Sequence, residues 1–121
     1  MANSAAGTLG ETLRDARVGL SVSLRELAKK LGLAPSYLSD IENDRRVPSE
    51  DVLQKLATEL ELKFDDLMAR AGRVGDEAER YMKRHPTVGL LFRQISEQRL
   101  RDEDLEKVRL YVDRLAKKRG S

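Results

Sequence analysis

Apolar side chains recur three or four residues apart along most of this chain, the spacing that gathers them on one face of a helix. Leu9, Leu13 and Ala16 predict a first helix ending near Gly19, opened by Thr8 and Glu11 as a capping box. Leu24, Leu27, Ala28 and Leu31 predict a second. Ser23 and Glu26 form its capping box, Val22 and Leu27 stand where a hydrophobic staple would lock the entry, and Gly32 supplies a residue without Cβ for a left-handed cap. A third helix starts at Pro35, whose fixed φ suits the first helical position. Leu38 and Ile41 are its apolar anchors, so Ser36, Tyr37, Ser39, Asp40 and Asn43 face outward.

The turn DRRVP leads to Ser49, a good N-cap, with Glu50 and Asp51 favourably placed against the dipole of a fourth helix. Val52, Leu53, Leu56, Ala57 and Leu60 are its core face, and Phe64, Leu67 and Met68 predict a short fifth helix closing the core. The texture changes at Gly72 and Gly75, where a domain boundary is expected. Residues 76–84 have helical character, and Pro86 either stops that helix or begins the next. Val88, Leu91, Phe92 and Ile95 form one helix face. Leu105, Val108, Val112 and Leu115 follow a 3-4-3 spacing, the seam of a packed or coiled helix. Asp102, Glu103 and Asp104 precede that seam and Lys117, Lys118 and Arg119 follow it, both complementing the helix dipole.

The expected fold is all-α: a compact five-helix domain over residues 8–72, followed by a C-terminal helical hairpin in residues 73–121. Residues 1–7 are small and polar, and are expected to be disordered. The C-terminal part is too short to bury much core alone. Its two apolar faces call for the first domain or the same segment of another chain, and a hairpin set against its twin is the simplest closed solution. Val88, Leu91, Phe92, Ile95, Leu105, Val108, Val112 and Leu115 are the candidate dimerisation residues.

The second and third helices, joined at a tight turn, form a helix-turn-helix. A unit this small leaves the outer face of its second helix free to enter a DNA major groove. The residues LRELAKKLGL, then SYLSDIEN, then PSEDVLQKLATEL together resemble the Cro/C1-type (XRE family) helix-turn-helix of phage repressors and bacterial regulators. The resemblance covers roughly residues 9–68. It implies a transcriptional regulator, commonly a repressor, that binds double-stranded DNA as a homodimer. By position it assigns Pro35, Ser36 and Asp40 to base edges, although the family often carries glutamine or another long polar side chain there. It also pairs Arg17 with Glu42 across the first and third helices; the alternative is two unpaired surface charges.

Around that surface, Tyr37 and Ser39 either reach phosphates or, for Tyr37, pack on the second helix. Arg45 and Arg46 contact the DNA backbone or a minor-groove edge, or form a solvated turn. Arg25 and Asn43 complete the candidate DNA-binding set. Ser23 caps its helix and can also present its hydroxyl and first-turn amides to a phosphate. The family also includes antitoxins and repressors governed by a protein antirepressor. The alternative reading is therefore a partner-binding module using the C-terminal helices to grip a toxin or antirepressor.

Charge complicates the DNA reading without reversing it. The formal net charge is +2 and the pI about 9.0. Residues 1–72 nevertheless hold 10 Lys and Arg against 12 Asp and Glu, and residues 73–121 hold 13 against 9. Phosphate contacts drive affinity, so the expected field is uneven, with Arg25, Arg45 and Arg46 beside the third helix and acids such as Glu59 and Glu61 turned away.

Other chemistries find little support. With no cysteine there are no disulfides or thiolate metal sites, which fits a reducing cytoplasm. No apolar run approaches the roughly 18 residues of a membrane span, and MANSAAG lacks the basic and apolar regions of a signal peptide. His85, the single histidine, lacks the partners of a metal or catalytic site. No nucleophile motif, phosphate loop or spaced carboxylate pair stands out. The expectation is therefore no enzyme activity, no cofactor and no metal, in a cytoplasmic, nucleoid-associated protein.

Overall fold

A computed structural model describes residues 7–120. The expected disorder of residues 1–7 falls, except for Gly7, outside the described residues. All regular structure among them is helical: α1 (Leu9–Gly19), α2 (Leu24–Leu31), α3 (Pro35–Glu42), α4 (Glu50–Leu60), α5 (Phe64–Arg70), α6 (Asp76–Arg84), α7 (Pro86–Glu97) and α8 (Asp102–Gly120). The chain divides into two compact units, with the break between Gly75 and Asp76.

Local chemistry sets the helix ends in the first unit. Thr8 and Glu11 exchange side-chain and backbone hydrogen bonds at the start of α1, and Ser23 and Glu26 do the same at α2. Those reciprocal bonds satisfy amides that a helix N-terminus leaves without partners. The Glu26 carboxyl is held below its ordinary range, first by the hydrogen bond from the Ser23 backbone amide and then by the Ser23 hydroxyl. Gly32 takes the left-handed conformation at φ 69° and ends α2. The α3 N-cap, Ala34, makes no side-chain cap bond, and Pro35 opens the helix because its missing N–H would be unpaired there anyway. Ser49 accepts from the Val52 amide at α4.

Five amphipathic faces then converge on one core. It comprises Leu9 and Leu13 of α1, Leu27, Ala28 and Leu31 of α2, Leu38 and Ile41 of α3, Leu53, Leu56, Ala57 and Leu60 of α4, and Leu67 and Met68 of α5. Complete burial of a leucine side chain contributes about 1.5–3 kcal/mol, and Leu13, Leu38, Leu53, Leu56 and Leu67 are wholly enclosed. Helix α3 packs against both α1 and α2. Its inner residues are therefore committed to the core, and its outer surface has a fixed orientation.

In the second unit α6 packs on α7. Pro86 begins α7 rather than merely ending α6. The residues 98–101 link α7 to α8, with Arg99 left-handed at φ 52°. The acids at the start of α8 and bases at its end sit as the dipole favours. None of the described residues of α6, α7 or α8 is buried.

Candidate nucleic-acid interface

One buried ion pair ties α3 to α1. Arg17, on α1, donates from Nε to Glu42 Oε2 at 2.7 Å and from Nη2 to Glu42 Oε1 at 2.9 Å. Its Nη1 donates to the Val22 carbonyl at 2.9 Å. One guanidinium thus joins α1, the entry to α2 and the end of α3. The Arg17 side chain is 12% exposed and the Glu42 side chain 1%. The hydrogen bond to Glu42 raises the Arg17 pKa above its ordinary value, against an opposing effect of burial.

A second linkage meets the same end of α3. Gly10 lies so close to it that a Cβ there would collide with the Glu42 carbonyl oxygen. Asp44 takes a left-handed backbone at φ 59°. Its carboxylate accepts from the Gly10 amide at 2.9 Å and from the Thr8 hydroxyl at 2.6 Å. A carboxylate at this spot also complements the α1 dipole. The left-handed step reverses the chain, and the Arg45 amide reaches back to the Asp40 carbonyl at 2.8 Å.

Beyond that step the two arginines fold back along α3. Arg45 Nη1 is 3.1 Å from Asp40 Oδ1, and the Arg46 guanidinium lies 5.1 Å from the centre of the Tyr37 ring. Buried Pro48 ends the turn, and its carbonyl accepts from Arg73 Nη2 at 3.0 Å. Asp44 and Pro48 thus anchor the arginine-bearing loop on either side of Arg45 and Arg46.

The candidate residues fall into distinct settings. Pro35, Ser36, Arg45 and Arg46 are exposed on α3 and the loop after it, while Tyr37, Ser39 and Asp40 are half-buried. Tyr37 packs against the core edge with Arg46 over its outer face, so it takes part in packing and in the surface at once. Asn43 is exposed, but its amide is occupied: Nδ2 donates to the Ser39 carbonyl at 2.9 Å and Oδ1 accepts from Arg14 Nη2 at 3.1 Å. Ser23 and Arg25 are exposed at the start of α2, with the Ser23 hydroxyl oxygen accepting from the Glu26 amide. Glu59 pairs with Lys30 at 3.5 Å.

Of the candidate dimerisation residues, Val88, Ile95, Leu105 and Val108 are half-buried, while Leu91, Phe92, Val112 and Leu115 are exposed. Among the described residues no cluster of His, Asp or Glu could hold a metal ion, and no helix is long and apolar enough to cross a membrane.

Sequence reasoning missed Arg14, Gly10, Asp44 and Arg73. Gly10 carried a faint signal, because glycine is a poor choice in a first helical turn. The Asn43-Asp44 pair carried another, since both residue types tolerate the left-handed region.

Comparison with known proteins agrees with this geometry. Residues 13–67 match the Helix-turn-helix family model. An HTH-type transcriptional regulator of Mycobacterium tuberculosis is 40% identical over 63 residues, covering 52% of this chain and 45% of the relative. The transcriptional regulator ClgR of the same species is 32% identical over 78 residues, covering 64% of this chain and 70% of ClgR. The HTH-type transcriptional repressor RghR of Bacillus subtilis is 34% identical over 68 residues, covering 55% of this chain and 50% of RghR. The chain thus spans about half the length of the first and last of these. With its five-helix core, its turn glycine and its matching span, the chain belongs to the Cro/C1-type (XRE) helix-turn-helix family of transcriptional regulators.

Proposed function

We propose that this protein is a DNA-binding transcriptional regulator, acting as a repressor, that grips a pseudo-palindromic operator as a homodimer. The observation that carries the reading is the outer surface of α3. Ser36, Tyr37, Ser39 and Asp40 lie on it with Arg45 and Arg46 folded alongside, and the Arg17–Glu42 pair holds the whole surface at one angle. A helix presented in this way fits a major groove, with arginines placed for phosphates or base edges. Repression is supported by the name of the relative RghR. The site of action would be the nucleoid in the cytoplasm.

Dimerisation is assigned to α7 and α8. Phe92, Val112 and Leu115 are 46%, 54% and 47% exposed, and large apolar side chains left open on a segment without a core call for a covering partner. A twin copy supplies one and sets two α3 helices about 34 Å apart, or a multiple of that, on successive major grooves.

The test is selection of bound duplexes from random DNA, followed by the mass of the complex. The expected result is an enriched pseudo-palindrome carrying two chains. Failure to enrich any sequence overturns the reading.

The same open apolar faces favour one second reading, a module that grips a toxin or antirepressor through α7 and α8. A complex with the product of a neighbouring gene, formed through those helices and releasing DNA, would distinguish it.

A further inference from the structure

The DNA-reading surface carries an internal contradiction. Arg45 is suited to phosphates, yet its guanidinium sits 3.1 Å from the carboxylate of Asp40, on the same surface. The contact is built rather than accidental. Asp44 is held left-handed by Gly10 and Thr8, and the Arg45 amide is bonded to the Asp40 carbonyl at 2.8 Å. The backbone therefore returns Arg45 to the residue five positions before it. The pair is open to solvent, with side chains 68% and 36% exposed, so in water it holds by no more than a few-fold.

Against DNA the two charges have opposite preferences. A run of phosphates attracts Arg45 and repels Asp40, so the pair as a unit gains little from counterion release. A C·G base pair offers something different in the major groove. Cytosine presents an amino donor that suits a carboxylate, and guanine presents two acceptors side by side that suit a guanidinium. An A·T pair has a donor but no such double acceptor.

Resting on the reading of α3 as the DNA-facing helix, we infer that Asp40 and Arg45 act as one selectivity gate, which makes tight binding conditional on a C·G base pair in each half-site. On non-specific DNA, Asp40 keeps Arg45 engaged and faces phosphates unfavourably. On the right base pair the two side chains part, and each finds a complementary edge. Asp40 thus determines specificity in two ways, by accepting from cytosine and by suppressing binding elsewhere.

The experiment selects sequences from random DNA with the full chain, Asp40→Asn, Arg45→Ala and the double variant. Titrations follow against the enriched duplex, the same duplex with the C·G pair changed to T·A, and a scrambled duplex at several salt concentrations. Asp40→Asn keeps the size of the side chain, and circular dichroism checks that each variant is folded. The wild type should prefer C·G at one position by about tenfold. Asp40→Asn should lose that preference and bind scrambled DNA about three- to tenfold more tightly, with a steeper salt dependence. The double variant should lose no more at that position than either single variant, since partners in one unit are not additive. The inference is overturned if Asp40→Asn retains the preference, or leaves affinity for scrambled DNA unchanged, while the wild type still enriches an operator. Enrichment of no sequence by the wild type would overturn the DNA reading itself and the gate with it.

Discussion

Arg17 and Glu42 meet through two parallel hydrogen bonds, 2.7 and 2.9 Å long, between one nearly buried guanidinium and one buried carboxylate. Glu42 is the last residue of α3, so the contact fastens the C-terminal end of that helix to α1. Arg17→Met would leave the carboxylate with Arg14, 3.6 Å away, as its remaining cation. The expected loss is about 3–5 kcal/mol, because a buried charge without its partner is strongly unfavourable. Glu42→Gln in turn leaves the Arg17 guanidinium without a counter-charge, but keeps one acceptor for it beside the Val22 carbonyl, and should cost less, about 1–3 kcal/mol. Urea unfolding of both variants measures the difference, and equal losses would show that the retained acceptor does nothing for the guanidinium.

Gly10→Ala places a methyl group against the Glu42 carbonyl and the Asp44 carboxylate. Backbone must move, and the expected destabilisation is about 1–3 kcal/mol. Gly19, at the other end of α1, has nothing within 4 Å of a built Cβ, so Gly19→Ala should be neutral or slightly stabilising. Thermal melts of the two variants against the wild type decide the matter.

Acid should loosen the start of α2. The Glu26 carboxyl titrates below its ordinary value of 4.5 because the Ser23 amide and hydroxyl favour the charged form. A lowered folded-state pKa stabilises the fold above the unfolded value, and that contribution fades as pH falls through the lowered one. Glu26→Gln removes the titrating group. Its urea midpoint should therefore shift less between pH 6 and about pH 3 than that of the wild type. An identical shift in both would assign the acid response to other carboxylates.

Arg45→Ala combined with Arg46→Ala should weaken binding to all duplexes, most of all to the one carrying the C·G pair, and flatten the dependence on salt, since fewer counterions are released. Ser36→Ala should change which sequence is preferred and leave the salt dependence as it is. Titrations against specific and scrambled DNA separate the two effects, and unchanged affinity in the arginine variant would remove that loop from the interface.

Val108→Glu with Val112→Glu should give a monomer. Two unpaired carboxylates in a seam that the proposed dimer would bury cost several kcal/mol, enough to dissociate a typical dimer. Helices α1 to α5 should stay folded, because the hydrophobic core cluster among the described residues lies in them. Specific binding should fall steeply while weak non-specific binding survives. Sedimentation and circular dichroism read the outcome, and a variant that stays dimeric would place the interface elsewhere.

Much of the first unit was legible because its signals are local. Ser23 and Glu26 are three residues apart, Gly32 closes its own helix, and Pro35 opens the next. Leu38 and Ile41 declare the inner face of α3 within one turn. The Arg17–Glu42 contact spans 25 positions and carries no local pattern; only the resemblance to a family suggested it. The contact between Asp44 and Gly10 was hidden for the same reason, spanning 34 positions, although each residue carried a faint local signal. The return of Arg45 to Asp40 depends on that hidden contact, since the left-handed step at Asp44 aims the loop. Asn43 looked free for DNA, whereas its side chain is taken up by the Ser39 carbonyl one turn earlier and by Arg14 from another helix.

The described residues of α6, α7 and α8 share one property: not one is buried. Apolar faces in that state are open to whatever covers them, and mass action governs how often they are covered. If the cover is a twin copy, the amount of protein in the cell becomes a regulatory input. Below the dissociation constant, the dimer population, and with it operator occupancy, grows as roughly the square of the chain concentration. A modest change in synthesis or turnover would then be read by the promoter as a much larger one, giving a threshold without any small-molecule effector.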